Sequence, residues 1–409
     1  MPRDFSEAHR GPASIALSNL RVVTILIVIA FHSFLAYLGS LPDAAYPFDL
    51  SPYRWQAFPV VDSQRWFGFD LFCAWQSLSM MPLMFFLAGV FTAPSLAAKG
   101  TWTFFSDRLR RIGLPLLPAV LVLAPLTYYP AYRATAVDPS FGAYVQSWLG
   151  LPFWPSGPQW FLWQLLFFTL VAVLLHRFVP QFMLRLARAA ASLCENPFRF
   201  FFALVAVAAL AYVPLSLPFS QWAWTNIGPF AFETPRPLLY LVYFFAGFAV
   251  GIRGLDRGLL VADGPLARRW WAWLALAFAG FVLWAGASSM ALGNWDTVPL
   301  GTKLGAALGL LFGCAGGCFF LVAVCLRFAR KRMRWFDNLS ENAYRIYLLH
   351  YVIVVWLQYA LLDTELPAIV KAAIVFGGTL LVAWALAAAL GSVSFVSRPI
   401  AAARRVRSA

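Results

Sequence analysis

The chain has 409 residues, 61% of them hydrophobic and only 12% charged, with a formal net charge of +14. A soluble globular domain carries about a quarter charged residues, so that class is excluded. The apolar residues also come in long runs, unlike the ~10-residue alternating strands of a membrane β-barrel. What remains is an all-α polytopic membrane protein, whose spans each need ~20 apolar residues.

Ten spans are expected, near residues 18–39, 68–96, 112–130, 160–178, 198–217, 237–252, 270–290, 302–326, 342–361 and 367–391. The loops between them are short, so residues 18–391 read as one membrane domain between an N-terminal tail (1–17) and a basic C-terminal tail (392–409). The polar head and the length of the first apolar run argue against a cleavable signal peptide. Sorting the loops alternately places 23 of the 31 Lys and Arg on the side of both termini. Only Arg54, Arg65, Arg133 and Arg236 fall on the opposite side. Basic loops face the cytoplasm, so both termini are expected there. That asymmetry accounts for the positive charge through a lipid bilayer and leaves no need for a nucleic-acid partner.

The first span, "LSNLRVVTILIVIAFHSFLAYLG" (17–39), carries Arg21 and His32. An ionisable residue inside a span is costly and marks function by default. Eleven residues at 100° each bring the two within about 20° of one helix face, ~16 Å apart along the axis. A cation at the cytoplasmic boundary and a titratable base deeper in would suit a phosphorylated donor with a long thin arm, such as coenzyme A. Singly, Arg21 reads equally as a snorkelling interface anchor, and His32 as a core histidine bonded to a neighbouring helix. The second span opens with "WFGFDLF", where Asp70 lies at about the depth of His32. It is a candidate to orient the imidazole, or else a helix cap. Pro82, with the Gln and Ser around it, suggests a kinked helix lining a cavity.

"FFSDRLRRIGLPLLP" follows on the cytoplasmic side, and Arg108 and Arg111, three apart, form a candidate phosphate site. "SGPQWFLWQLLFF" opens the fourth span with Gln159, Trp160 and Gln164. Trp160 is a stacking platform for a sugar or part of an aromatic belt, and the two glutamines are hydrogen-bonding groups for hydroxyls. Cys314 and Cys318 share a helix face, but no His or acid stands near, so close helix packing is expected there. Neither a disulfide nor a metal is expected. The ninth span, "LSENAYRIYLLHYVIVVW", holds His350, a second titratable group within a span. It is a candidate substrate-binding residue or a structural hydrogen-bonder.

Together these motifs resemble the acyltransferase-3 family of membrane acyltransferases over roughly residues 17–390. Arg21 and His32 look like its R-x10-H signature, and "MPLMFFLAG" (81–89) resembles its MPLFFxxSG stretch. "RLRRIGLPLL" (108–117) resembles its basic loop before a proline-bearing third span. "QWFLWQLL" (159–166) and "AYRIYLLHYVIVVW" (343–356) resemble its HLWFL and SxxIYLxHxP elements. Within the family, "RIGLP" and "YFFAGFAVG" (243–251) look most like the members that succinylate periplasmic glucans. The chain departs from the pattern at Met80, at Pro158-Gln159 and at Tyr351-Val352.

The resemblance implies a bacterial inner-membrane enzyme that takes an acyl group, succinyl or acetyl, from cytoplasmic acyl-CoA. The acceptor is a hydroxyl of an extracytoplasmic carbohydrate. On this reading Arg21, Arg108 and Arg111 hold the donor's phosphates, and His32 removes the acceptor proton with Asp70 orienting it. The sugar enters near Trp160, Gln159, Gln164 and His350. The competing class is a transporter or flippase that uses the buried His and Arg as relay groups.

Overall fold

The computed structural model describes residues 11–291 and 293–393. Arg3, Arg10, Arg398, Arg404, Arg405 and Arg407, and most of both expected tails, lie outside the described residues. In chain order the principal helices are α1 (Pro12–Phe34), α2 (Phe67–Lys99), α3 (Thr101–Arg133), α4 (Phe141–Leu149), α5 (Trp160–Phe178) and α6 (Pro180–Leu193). Then follow α7 (Pro197–Ser216), α8 (Pro237–Arg253), α9 (Trp270–Ser289), α10 (Leu300–Phe328), α11 (Arg334–Ala360) and α12 (Ala368–Val393).

Each of the ten apolar runs falls on one of these helices. Eight helices, α1, α2, α3, α5, α7, α9, α10 and α12, are long and apolar enough to cross a membrane. The other two runs differ for separate reasons. α8 is apolar but has only 17 residues, and α11 has 27 residues but a face of Asn342, Tyr347, His350 and Gln358 buried against other helices. Three elements have no counterpart in the span pattern. They are α4, the amphipathic α6 with exposed Arg185 and Arg188, and a hairpin of β1 (Trp224–Ile227) and β2 (Phe230–Glu233) in antiparallel register.

Close helix approach depends on residues without side chains. A Cβ on Gly247 of α8 would fall 1.9 Å from the Phe86 carbonyl oxygen of α2, and one on Gly89 2.0 Å from that of Phe244. No real side chain fits there, so the α2–α8 contact is a backbone contact, as expected where small residues replace hydrophobic driving force.

Carbonyls that proline leaves without a donor find others, because an unsatisfied backbone group in lipid costs several kcal/mol. α2 runs unbroken through Pro82. The Leu78 carbonyl, four residues before it, accepts from Cys314 Sγ at 2.7 Å, and the Ser79 carbonyl from Cys318 Sγ at 3.5 Å. This is the use of the Cys314/Cys318 pair; all five cysteines are free and buried.

α3 contains two π-helical turns, Leu109–Gly113 and Ala119–Leu123, around its prolines. Tyr344 of α11 donates to the Ile112 carbonyl at 2.8 Å, and Trp154 Nε1 to the Val120 carbonyl at 2.9 Å. Pro130 cannot donate to Leu126, whose carbonyl takes Trp356 Nε1 of α11 at 2.9 Å. α3 is thereby fastened to α11, the helix that carries His350.

The segment between α1 and α2 packs over one end of the bundle. Trp55 is fully buried there, and the Gln56 carbonyl accepts from Tyr128 at 3.1 Å and from Tyr351 at 3.5 Å. Asp62 of this segment meets Lys371 of α12 at 2.8 Å, with both side chains fully buried.

Candidate functional site

α1 is a continuous helix from Pro12 to Phe34. Arg21 and His32 therefore keep the angular relation of an ideal helix, ~20° apart and separated by ~16 Å. His32 stands in the last turn of α1 and Arg21 near its middle, and these two ends of the shared face, a histidine end and an arginine end, are built differently.

At the histidine end the ring of His32 is half-buried. Its Nδ1 lies 2.9 Å from the Val28 carbonyl one turn back on α1. A carbonyl only accepts, so Nδ1 carries the hydrogen and Nε2 keeps a lone pair. His350 Nε2 stands 3.3 Å from the same Nδ1, with ring centroids 5.0 Å apart. The Tyr351 ring packs edge-on at 4.9 Å and Phe31 at 5.4 Å. Gln358 Nε2 donates to the carbonyls of His32 at 2.9 Å and Ser33 at 3.2 Å, so α11 holds the last turn of α1 in place.

At the arginine end Arg21 is exposed and lies 5.9 Å from the Phe91 ring of α2. Arg108 Nη2 reaches Thr92 Oγ1, the next residue, at 3.5 Å, and its guanidinium lies 5.2 Å from the Phe104 ring. Arg108 is close enough to Arg21 and to Arg111 to feel both charges. Arg108 and Arg111 do not sit in a loop. They lie within helix α3, Arg108 just before its first π turn and Arg111 inside it, and Arg108 reaches α2 through Thr92. Asp107, the nearest acid in sequence, is taken by Lys99 at 2.6 Å. Among the described residues none of these three arginines has a carboxylate partner.

The structure does not put Asp70 on His32. One Asp70 oxygen accepts the Gly39 N–H at 2.6 Å and the other the Ser40 N–H at 3.1 Å. The carboxylate fixes the chain where it leaves the end of α1, each of its oxygens taken by a backbone donor. The side chain facing His32 Nδ1 is His350 instead.

The residues expected to meet an acceptor divide between two places. Gly157 has φ +54, and a Cβ there would meet Tyr128 Oη at 3.2 Å, Gln159 Oε1 at 3.3 Å and Tyr351 Cδ1 at 3.3 Å. Gln159 thus belongs with Tyr351 beside the histidines, and Tyr347 secures it by donating to the Pro158 carbonyl at 2.5 Å. Trp160 packs instead on Tyr240 of α8 at 6.0 Å and on Trp224 of the hairpin at 5.4 Å. Gln164, one turn further along the same side of α5, is buried, and both of its amide atoms lack a hydrogen-bond partner among the described residues. No ring contact or hydrogen bond joins Trp160 or Gln164 to either histidine. The sequence alone points to no role for Tyr128 or Gln358, and marks Tyr351 only as one of the polar residues of the ninth span and a departure from a family pattern. The available signal was spacing, since Tyr347, Tyr351, Val354 and Gln358 form one helical stripe.

Fold and site together describe a polytopic helical membrane protein with an imidazole at one end of a helix face and, at the other, arginines that have no carboxylate partner among the described residues. The Acyltransferase domain model of the acyltransferase-3 family matches residues 14–388, and the chain belongs to that family. It is accordingly an O-acyltransferase, as the resemblance implied. Comparison with curated proteins and with solved structures finds no match.

Proposed function

We propose that this protein carries an acyl group across a bacterial inner membrane, from acyl-CoA in the cytoplasm to a hydroxyl of a carbohydrate on the far side. The observation that carries the reading is the α1 face. A free imidazole lone pair on His32 stands ~16 Å along the helix from Arg21, which has Arg108 and Arg111 as neighbouring cations and, among the described residues, no ion pair with a carboxylate. Guanidinium forks bind phosphate bidentately, and the reach of a pantetheine arm is of the same order as the separation. The excess of basic residues on the side of the termini supports the arginine end as cytoplasmic.

In the reaction His32 Nε2 takes the proton of the acceptor hydroxyl as its oxygen attacks the thioester carbonyl carbon. The carbon–sulfur bond then breaks, and the thiolate leaves with the proton that His32 Nε2 holds. An imidazole suits both transfers because it accepts and releases a proton near neutral pH. Gln159, Tyr128 and Tyr351 are the groups nearest to where the acceptor would lie.

The finer reading is a periplasmic glucan as acceptor and succinyl or acetyl as the acyl group. A succinyl carboxylate calls for a free cation at the histidine end. Arg236 is paired with Glu233 at 3.0 Å, and Arg65 with Asp43 at 3.2 Å. Arg54 and Arg133 are exposed and have no carboxylate partner among the described residues, which leaves them as the candidates.

The test is purified protein with radiolabelled acetyl- or succinyl-CoA and a soluble oligoglucan. Label is expected on the glucan, and replacing His32 with alanine is expected to cut it by ~10²–10⁴-fold. Movement of solute across liposomes with no label on any glycan would instead favour a transporter.

A further inference from the structure

The side chain against His32 Nδ1 is another imidazole, from a helix 318 positions later in the chain. His350 is fully buried, and its own Nδ1 lies 2.6 Å from the Tyr347 carbonyl one turn back on α11. By the logic used for His32, this carbonyl fixes the hydrogen on Nδ1 and leaves the lone pair on Nε2. That lone pair is the atom facing His32 Nδ1. Two backbone carbonyls, Val28 and Tyr347, thereby give the pair a direction: each ring is protonated at Nδ1, and the single His32 Nδ1–H is shared between the Val28 carbonyl at 2.9 Å and His350 Nε2 at 3.3 Å.

We propose that His350 is a positioning residue for His32, accepting its Nδ1–H so that Nε2 stays the free base and sharing the charge when Nε2 takes a proton. This rests on the reading of His32 as the base. The acceptor's proton enters at His32 Nε2. The resulting imidazolium then holds His350 Nε2 through a charge-assisted hydrogen bond, stronger than the neutral one at rest. The proton later leaves from the same Nε2 with the thiolate, and both rings return to their starting forms.

A carboxylate would orient the ring equally well, but it would place a permanent charge inside the membrane. A second neutral imidazole supplies an acceptor with no resting charge to desolvate. The surroundings agree with a neutral pair. Tyr351 packs on His32, Tyr347 packs on His350 at 5.5 Å, and Cys73 Sγ bonds the Phe31 carbonyl at 3.8 Å. Among the described residues neither ring forms an ion pair with a carboxylate.

The test uses the full-length protein in lipid nanodiscs, with kcat and KM measured for acyl-CoA and for an oligoglucan. His350→Leu removes the acceptor and is expected to lower kcat by ~10–100-fold with both KM values little changed, as orienting groups do. His350→Asn keeps a polar amide too short to reach His32 and is expected to match the leucine variant. His350→Gln places Oε1 where Nε2 stands and is expected to recover most of the loss. Acyl-CoA binding by each variant reports that it is folded, and if the leucine variant does not fold, the asparagine–glutamine difference alone decides. Wild-type kcat in folded His350→Asn, or no advantage of Gln over Asn, overturns the proposal. If that happens while His32→Ala is inactive, His350 loses its role and the base keeps its own. If His32→Ala retains full transfer, the base assignment itself falls.

Discussion

The two ends of the α1 face follow opposite rules. At the histidine end both Nδ1 atoms meet a backbone carbonyl, Gln358 grips the helix terminus, and the segment 38–66 is fastened above by a fully buried ion pair. At the arginine end Arg21 and Arg108 stand against α2 with Arg111 near Arg108, none of them in an ion pair with a carboxylate among the described residues, and Arg21 and Arg111 are exposed. A group that moves a proton gains from being held in one tautomer and one direction before substrate arrives. A group that grips a large mobile polyanion gains from an open site whose mutual repulsion is relieved when the anion binds.

Five substitutions break or sharpen that contrast. The largest effect on catalysis is expected from His32→Ala, a loss of ~10²–10⁴-fold in kcat with acyl-CoA binding retained, measured by radiolabel transfer beside equilibrium binding. The largest effect on stability is expected at the latch. Lys371→Met leaves Asp62 charged, buried and unpaired and is expected to cost ~3–5 kcal/mol in a denaturant titration. Adding Asp62→Leu to it is expected to restore most of the loss, since an apolar pair replaces a buried ion pair at little cost. If the single substitution proves neutral, the ion pair is not what secures the segment.

Arg21→Ala is expected to act on binding alone. It raises KM for acyl-CoA by ~10–100-fold with kcat at saturation unchanged, and the effect shrinks as salt is added. A fall in kcat at constant KM would place Arg21 in the chemistry rather than the docking. The smallest effect is expected from Asp70→Asn, about 1 kcal/mol of stability from weakened hydrogen bonds to Gly39 and Ser40, with kcat close to wild type. A collapse of kcat in that variant would return Asp70 to the imidazole.

How much of this is legible in the sequence depends on the range of the interaction. The helices follow from hydropathy, which is local, and the shared face of Arg21 and His32 follows from 3.6 residues per turn. Gln159 and His350 were named from their polarity inside apolar runs, yet their neighbours were not legible. The partner of His32 lies 318 residues away and that of Asp62 lies 309 away. Only the packing of α1 against α11, and of the segment between α1 and α2 against α12, supplies those pairings. Asp70 misled because depth in the membrane can be estimated from sequence, whereas the direction of a short side chain is decided by the donors nearest to it, here two backbone N–H groups. Trp160 misled similarly: it is four residues past Ser156, but helical rotation turns it toward α8 while Gln159 turns toward α11. The π turns in α3 were hidden as well, because proline marks where a hydrogen bond is lost and not where the freed carbonyl goes.

The most direct measurement is transfer across a sealed membrane. Protein of one orientation is reconstituted into liposomes with labelled acyl-CoA on the side of the arginine end and a membrane-impermeant oligoglucan on the other. The account predicts acylated glucan in that arrangement and none when both substrates are confined to the arginine side. Equal transfer with both substrates on the arginine side would contradict it, because the base would then be working at the wrong end of α1.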